Sequence, residues 1–264
     1  TRRGTVVLIG GGLASARAAE GLRVAGYRDR IVLVGAEPTP PYDRPPLSKH
    51  GLIDALHTPT SELTPALVHD PDWYDEAGVE LRLGVEVVSI DVASRTVELA
   101  DGTQLGYDEA LLATGASPRR LTVPGGEGPG LLMVRTLQDA RTLANTLRQL
   151  AGQPSRRLVV IGAGWIGLEV AAAARAAGVV VTVVDPLPAP LATSLGAEVG
   201  TVFADLHRRH DVDLRLGVGV RSIDEQAVSL DDGSTLPAAA VLVAGGARPA
   251  ADLAQQAGLT LAGG

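Results

Sequence analysis

"RLVVIGAGWIGLEVAAAARAAGVVVTVVD", residues 157–185, opens with a β-branched run and then passes through a glycine turn, an alanine-rich helical stretch and a glycine stop. It closes on a second β-branched run that ends in an acid. The part from 158 to 184 is long and apolar enough to suggest a membrane span. Gly162, Gly164, Gly167 and Gly178 punctuate it instead into strand, turn, helix and strand, and Glu169 and Arg175 would sit in lipid. The same grammar stands earlier in the chain, in "TVVLIGGGLASARAAEGLRVAGYRDRIVLVGAE", residues 5–37.

A second pair of segments also matches. "VELRLGVEVVSIDVASRTVELADGTQLGYDEALLATGASP" covers 79–118, and "VDLRLGVGVRSIDEQAVSLDDGSTLPAAAVLVAGGARP" covers 212–249. Each reads as several short strands turned at Asp101-Gly102 or Asp232-Gly233, and each finishes on an apolar strand that stops at glycine. The chain is therefore expected to be α/β: two copies of one Rossmann-like dinucleotide-binding unit, each with a small antiparallel insertion. Helices are expected at roughly 136–150 and 196–210.

The glycines explain themselves chemically. Gly10, Gly12 and Ser15 fill a G-x-G-x-x-G/A frame with a small third residue, and Gly162, Gly164 and Gly167 fill it fully. The first glycine allows the tight turn, the second lets a pyrophosphate approach the backbone, and the third lets helix and strand pack closely. The helix N-terminus then points its N–H groups at the phosphates. Glu37 and Asp185 are placed to accept hydrogen bonds from a ribose hydroxyl, and an acid at the second site favours NAD over NADP. A lone frame is weak evidence, because glycine turns between strand and helix are common. Two frames, each followed by an acid, argue against a purely structural explanation. They point to a flavin and a nicotinamide exchanging hydride, where one would suggest a simple dehydrogenase.

Between the units lies "PPYDRPPLSK", residues 40–49, whose four prolines exclude a regular helix or an inner strand. It carries Arg44, Ser48 and Lys49 on a stiff loop. Composition excludes other classes. The formal net charge of −7 argues against nucleic acid or an anionic membrane as main partner. The absence of cysteine removes disulfides, thiolate metal sites and a redox dithiol. The apolar stretch from Val6 runs straight into Arg17 and Glu20, so no leader peptide is read there and a cytoplasmic protein is expected. The "HRRH" stretch with His207 and His210 reads as a solvated helix face without a metal-binding partner. Trp73 and Tyr74 read as packing a helix onto the sheet, beside a charged surface of Asp70, Asp72, Asp75 and Glu76.

"GGGLASARAAEGLR" (10–23), "PYDRPPLSK" (41–49), "LLATGASPR" (111–119), "VRTLQDA" (134–140) and "GAGWIGLEVA" (162–171) together resemble the FAD-dependent pyridine nucleotide-disulfide oxidoreductase superfamily. The nearest branch in kind is that of the NADH-dependent ferredoxin and rubredoxin reductases of oxygenase systems. The resemblance implies that Gly10, Gly12, Ala14 and Ser15 cradle the FAD pyrophosphate and that Glu37 holds its adenosine ribose. It places Arg44 near the middle of FAD and Val87 at the adenine, with Arg135 also on FAD, and Thr114 and Gly115 are further cofactor-binding candidates. Gly162, Gly164, Ile166, Gly167, Glu169, Asp185 and Gly245 would bind NADH. Lys49 would stand beside the flavin ring, paired with Glu169, and these two are the catalytic candidates. No metal is expected.

The implied activity is transfer of electrons from NADH through FAD to a ferredoxin- or rubredoxin-type carrier. Lack of a redox cysteine pair separates the chain from the glutathione-reductase and lipoamide-dehydrogenase relatives. A basic docking patch for an acidic carrier would draw on Arg2, Arg3, Arg119 and Arg120. The resemblance implies an FAD domain at 1–112 plus 243–264 and an NAD domain at 113–242. It also implies a Gly-Asp segment and an interface domain that lie outside this sequence, so the FAD domain is expected to be incomplete. After Asp185 the family's arginine-containing stretch is replaced by "PLPAPLATSLG". A flavin-dependent NADH oxidase or peroxide-handling reductase, and a truncated nucleotide-binding module without catalysis, stand as alternatives.

Overall fold

The computed structural model describes residues 4–58 and 63–262. The chain divides into two compact units: Thr1–Asp43, Pro65–Ser117 and Arg248–Gly264 form the first, and Arg44–Thr64 and Pro118–Ala247 the second.

The first unit is built on a four-stranded parallel sheet in the order Val79–Leu83, Ile31–Gly35, Val6–Ile9, Glu109–Leu112. Its two central strands are buried along their whole length, as expected when both faces of a parallel sheet are covered. Alternation sorts their side chains. Val7, Ile9, Val32 and Val34 pack with Val87, Val97, Leu99 and Leu105 of a three-stranded antiparallel insertion. Leu8, Ile31 and Leu33 pack on the other face with Ala19 of the helix Leu13–Val24 and Tyr74 of the helix Pro71–Glu76. Each such aliphatic side chain contributes roughly 1.5–3 kcal/mol on full burial. A register slip by one residue would exchange the two faces.

The second unit repeats the plan in the order Asp213–Leu216, Val180–Asp185, Arg157–Ile161, Ala240–Val243. The apolar 158–184 run resolves into strand, helix Trp165–Ala176 and strand, and no helix among the described residues is long and apolar enough to cross a membrane. The antiparallel insertions correspond in detail. Each shows a register shift in its first pairing, at Val87/Ser89 and at Val220/Ser222. Both hairpins close through a three-residue loop whose glycine is left-handed, Gly102 (φ +83°) and Gly233 (φ +89°). The preceding aspartate accepts the N–H of Thr103 or Ser234 at 2.9 and 2.8 Å.

Within the second unit the helix Leu137–Leu150 starts on a capping box formed by Thr136 and Asp139 and buries Leu137, Ala140, Leu143, Ala144, Leu147 and Leu150. The helix His50–His57 packs against it, and Arg148 Nη2 donates to Ala55 O at 2.7 Å. One expectation fails here. His207 is buried along with Gly200 and Ala204 on the sheet-facing side of the helix Ala197–Arg209, while His210 is exposed. Burial, then the neighbouring His210, pushes the His207 imidazole below its ordinary pKa. Arg2 and Arg3 lie outside the described residues; Arg119 and Arg120 are exposed, and Arg119 Nε donates to Ala247 O at 3.1 Å.

Candidate functional site

Both glycine frames sit where a parallel strand turns into a helix. Gly10 N–H donates to Val34 O and Gly162 N–H to Val184 O, each at 2.8 Å. Both glycines have left-handed φ, +124° and +111°. A Cβ on Gly10 would stand 2.1 Å from Ala113 O, and one on Gly162 would stand 2.5 Å from Ala244 O, so no other residue fits either turn. Gly12 and Gly164 are the extended N-caps of the two following helices, no side chain caps either helix, and a Cβ on either glycine would meet nothing within 4 Å. Space is therefore open at the second glycine of each uncapped helix N-terminus, an arrangement that a phosphate can enter.

The third frame position separates the units. A Cβ on Gly167 would come within 2.0 Å of Gly162 O, so this helix lies directly on its strand. The first unit has Ser15 there, fully buried, with no hydrogen-bond partner for its Oγ among the described residues. Ala14 is exposed in the same first turn, and Ile166 is exposed in the other.

The two acids, paired in the sequence reading as strand-end equivalents, are not equivalent. Ile9 aligns with Val34 in the first sheet and Ile161 with Val184 in the second, so the counterpart of Asp185 is Gly35. The next turn agrees. Val85 N–H donates to Gly35 O and Gly84 N–H to Glu37 O, as Val218 N–H donates to Asp185 O and Gly217 N–H to Leu187 O. Glu37 thus stands two residues beyond the Asp185 position and accepts the Tyr42 hydroxyl at 2.6 Å. Asp185 accepts the Ala163 N–H at 2.7 Å with one oxygen and the Leu187 N–H at 2.8 Å with the other. It pins the glycine loop, and its remaining lone pairs can still accept a hydroxyl. In the first unit the loop is held by backbone approach instead: a Cβ on Gly11 would lie 3.0 Å from Gly35 Cα.

The proline loop from Arg44 onward belongs to the second unit. Pro45–Ser48 forms one 3₁₀ turn with prolines at its start, and Leu47 N–H and Lys49 N–H donate to Arg44 O and Pro46 O. Arg44 Nη1 donates to Arg135 O at 2.6 Å. Lys49 Nζ lies 3.4 Å from Glu169 Oε1, while Ser48 Oγ donates to Glu169 Oε2 at 2.6 Å. Sequence reading anticipated the lysine–glutamate pair but not Ser48, whose partner lies 121 residues away. Of the other candidates, Val87 is buried in the first unit's core, and Thr114 Oγ1 donates to Ala250 O at 2.6 Å. Gly115 has left-handed φ (+73°), and Gly245 is exposed. Among the described residues no group of three or more His, Asp or Glu could hold a metal ion.

Residues 4–264 match the pyridine nucleotide-disulphide oxidoreductase family. The chain belongs to that family. Similar proteins include rhodocoxin reductase from Rhodococcus erythropolis, 40% identical over 97% of this chain and 58% of the relative. The benzene 1,2-dioxygenase system ferredoxin–NAD(+) reductase subunit from Pseudomonas putida is 36% identical over 96% of this chain and 60% of the relative. Among solved structures, the reductase in the covalent putidaredoxin reductase–putidaredoxin complex matches with a TM-score of 0.90 and 36% identity, over 100% of this chain and 63% of that one. The chain thus spans about three-fifths of the length of the relatives it matches. The oxidoreductase fold, parallel sheets that each carry a glycine loop, is that of this family.

Proposed function

We propose that this chain is the nucleotide-binding portion of an NADH-dependent flavoprotein reductase that passes electrons to a ferredoxin- or rubredoxin-type carrier in the cytoplasm. The observation that carries the reading is the doubled glycine loop, each copy with an uncapped helix N-terminus and open space at its second glycine. Relatives named as ferredoxin reductases of dioxygenase systems support the choice of carrier. FAD, when bound, supplies the chemistry of accepting a hydride from NADH and releasing the two electrons one at a time.

The chain's own residues bind and orient. Gly10, Gly12, Ala14 and Ser15 would receive the FAD pyrophosphate and Glu37 its ribose, with Arg44, Val87, Thr114, Gly115 and Arg135 as further FAD contacts. The buried Ser15 hydroxyl, without a partner among the described residues, is suited to that polar neighbour. Gly162, Gly164, Ile166, Gly167, Asp185 and Gly245 would receive NADH. Asp185 accepts a ribose hydroxyl and repels a 2′-phosphate, so NADH is favoured over NADPH. Lys49 presents a cation where negative charge gathers during reduction, and Glu169 steadies that cation. These 264 residues hold no cysteine, so none of them offers the electrons a thiol.

The visible spectrum of the purified protein, reconstituted with FAD, tests the reading. A flavin band bleached by NADH and restored by an oxidised ferredoxin-type carrier is expected. A protein that stays colourless after reconstitution would overturn it.

A further inference from the structure

Lysine occurs once in this chain, at position 49, against 22 arginines. The other cationic positions use the planar, permanently charged fork; this one uses a compact ammonium on a flexible stem. Its side chain is 50% exposed, and its acid partner, Glu169, is 21% exposed. Left alone, such a half-solvated pair is loosely defined and weakly coupled.

The pair is not left alone. Ser48, 4% exposed, donates its hydroxyl to Glu169 Oε2 at 2.6 Å, within the range of a charge-assisted O–H···O⁻ bond. The serine is itself fixed as the last residue of the proline-started turn Pro45–Ser48. With Oε2 tied down, Oε1 is directed at Lys49 and stands 3.4 Å from Nζ, short of the 2.7–2.9 Å of a fully engaged ammonium–carboxylate bond. The ammonium is thereby partnered yet keeps donors for another acceptor.

We propose that Ser48 is a positioning residue: through its hydrogen bond to Glu169 it fixes the distance, and so the strength, of the Lys49–Glu169 pair. The value of that arrangement for electron transfer rests on the function proposed above; the arrangement itself does not.

The single lysine makes a direct test simple, because isotope-labelled lysine gives one side-chain resonance. The Lys49 side-chain resonance is followed by NMR in the full chain at fixed pH without added nucleotide, so an outcome does not depend on whether FAD binds. Ser48→Ala is expected to move that resonance toward the position of a free lysine and to narrow it, because a released carboxylate holds the ammonium less closely. Glu169→Gln is expected to move it at least as far, and adding Ser48→Ala to Glu169→Gln is expected to change nothing further, since both act through one carboxylate. A Ser48→Ala resonance superimposed on that of the parent would overturn the proposal. So would an undiminished effect of Ser48→Ala in the Glu169→Gln background. Failure of the function reading is recorded separately, by the absence of a flavin band.

Discussion

The two units repeat one hydrogen-bond plan, yet they secure their glycine loops by different means. In the second, Asp185 ties the loop to the sheet through the Ala163 N–H, and Gly167 lets the helix lie on its strand. In the first, Gly35 replaces the acid and meets Gly11 backbone to backbone, while Ser15 holds a side chain where Gly167 has none. The lesson is that the frame specifies a shape that more than one set of contacts can hold. The same holds below the sheet. Val79 pairs with Ile31 as Val212 aligns with Val181 one residue before the Thr182–Asp213 pair, so Tyr74 and His207, each five residues earlier, are counterparts. Both are buried ionisable groups kept in their neutral form.

Exchanging the third frame residue should break the comparison most severely. Gly167→Ser would drive Cβ to 2.0 Å from the Gly162 carbonyl, which is backbone and cannot step aside. A loss of about 3 kcal/mol or more is expected, read as a lowered thermal midpoint together with lost NADH binding by calorimetry.

The counterpart pair Tyr74 and His207 sharpens the comparison through pH. Burial pushes the Tyr74 phenol up to about 12, so the stability it protects is complete below pH 10 and lost as pH rises through that folded value. That loss amounts to roughly 2–3 kcal/mol. His207 is depressed by burial, so its contribution is complete above its ordinary value of about 6.5 and disappears as pH falls through the lower folded value. Urea melts across pH should therefore weaken at both ends. Tyr74→Phe should remove the alkaline limb alone, and His207→Leu should flatten the acid limb. Equal changes at both ends from either variant would contradict the assignment.

Asp185→Asn removes one of two acceptors for backbone N–H groups and should cost about 1–2 kcal/mol. Glu37→Gln, which weakens the bond from Tyr42 without removing its acceptor, should cost less than half of that in the same melts. The smallest effect belongs to Ser15→Gly: about 0.3 kcal/mol, the helix-propensity difference, because the buried hydroxyl has no partner to lose among the described residues.

The duplicated plan was legible because glycine spacing and β-branched runs are local signals. So was Tyr74, since an aromatic in a charged helix can bury only one way. The offset of Glu37 from Asp185 was not legible, because an acid within two residues of a strand end satisfies the frame equally well and only strand pairing fixes the count. Ser48 was hidden by the distance along the chain to Glu169. His207 was hidden because the residues sharing its buried face, Gly200 and Ala204, are too small to advertise an apolar stripe.

Under the proposed function, Asp185 would make coenzyme choice and loop architecture a single trait in the second unit. Redesign toward a phosphorylated ribose by deleting that acid would unfasten the turn proposed to carry the pyrophosphate. The first unit supplies the remedy: glycine installed at both 163 and 185 would copy the Gly11–Gly35 solution, leaving the turn fastened and the specificity position vacant for an arginine nearby.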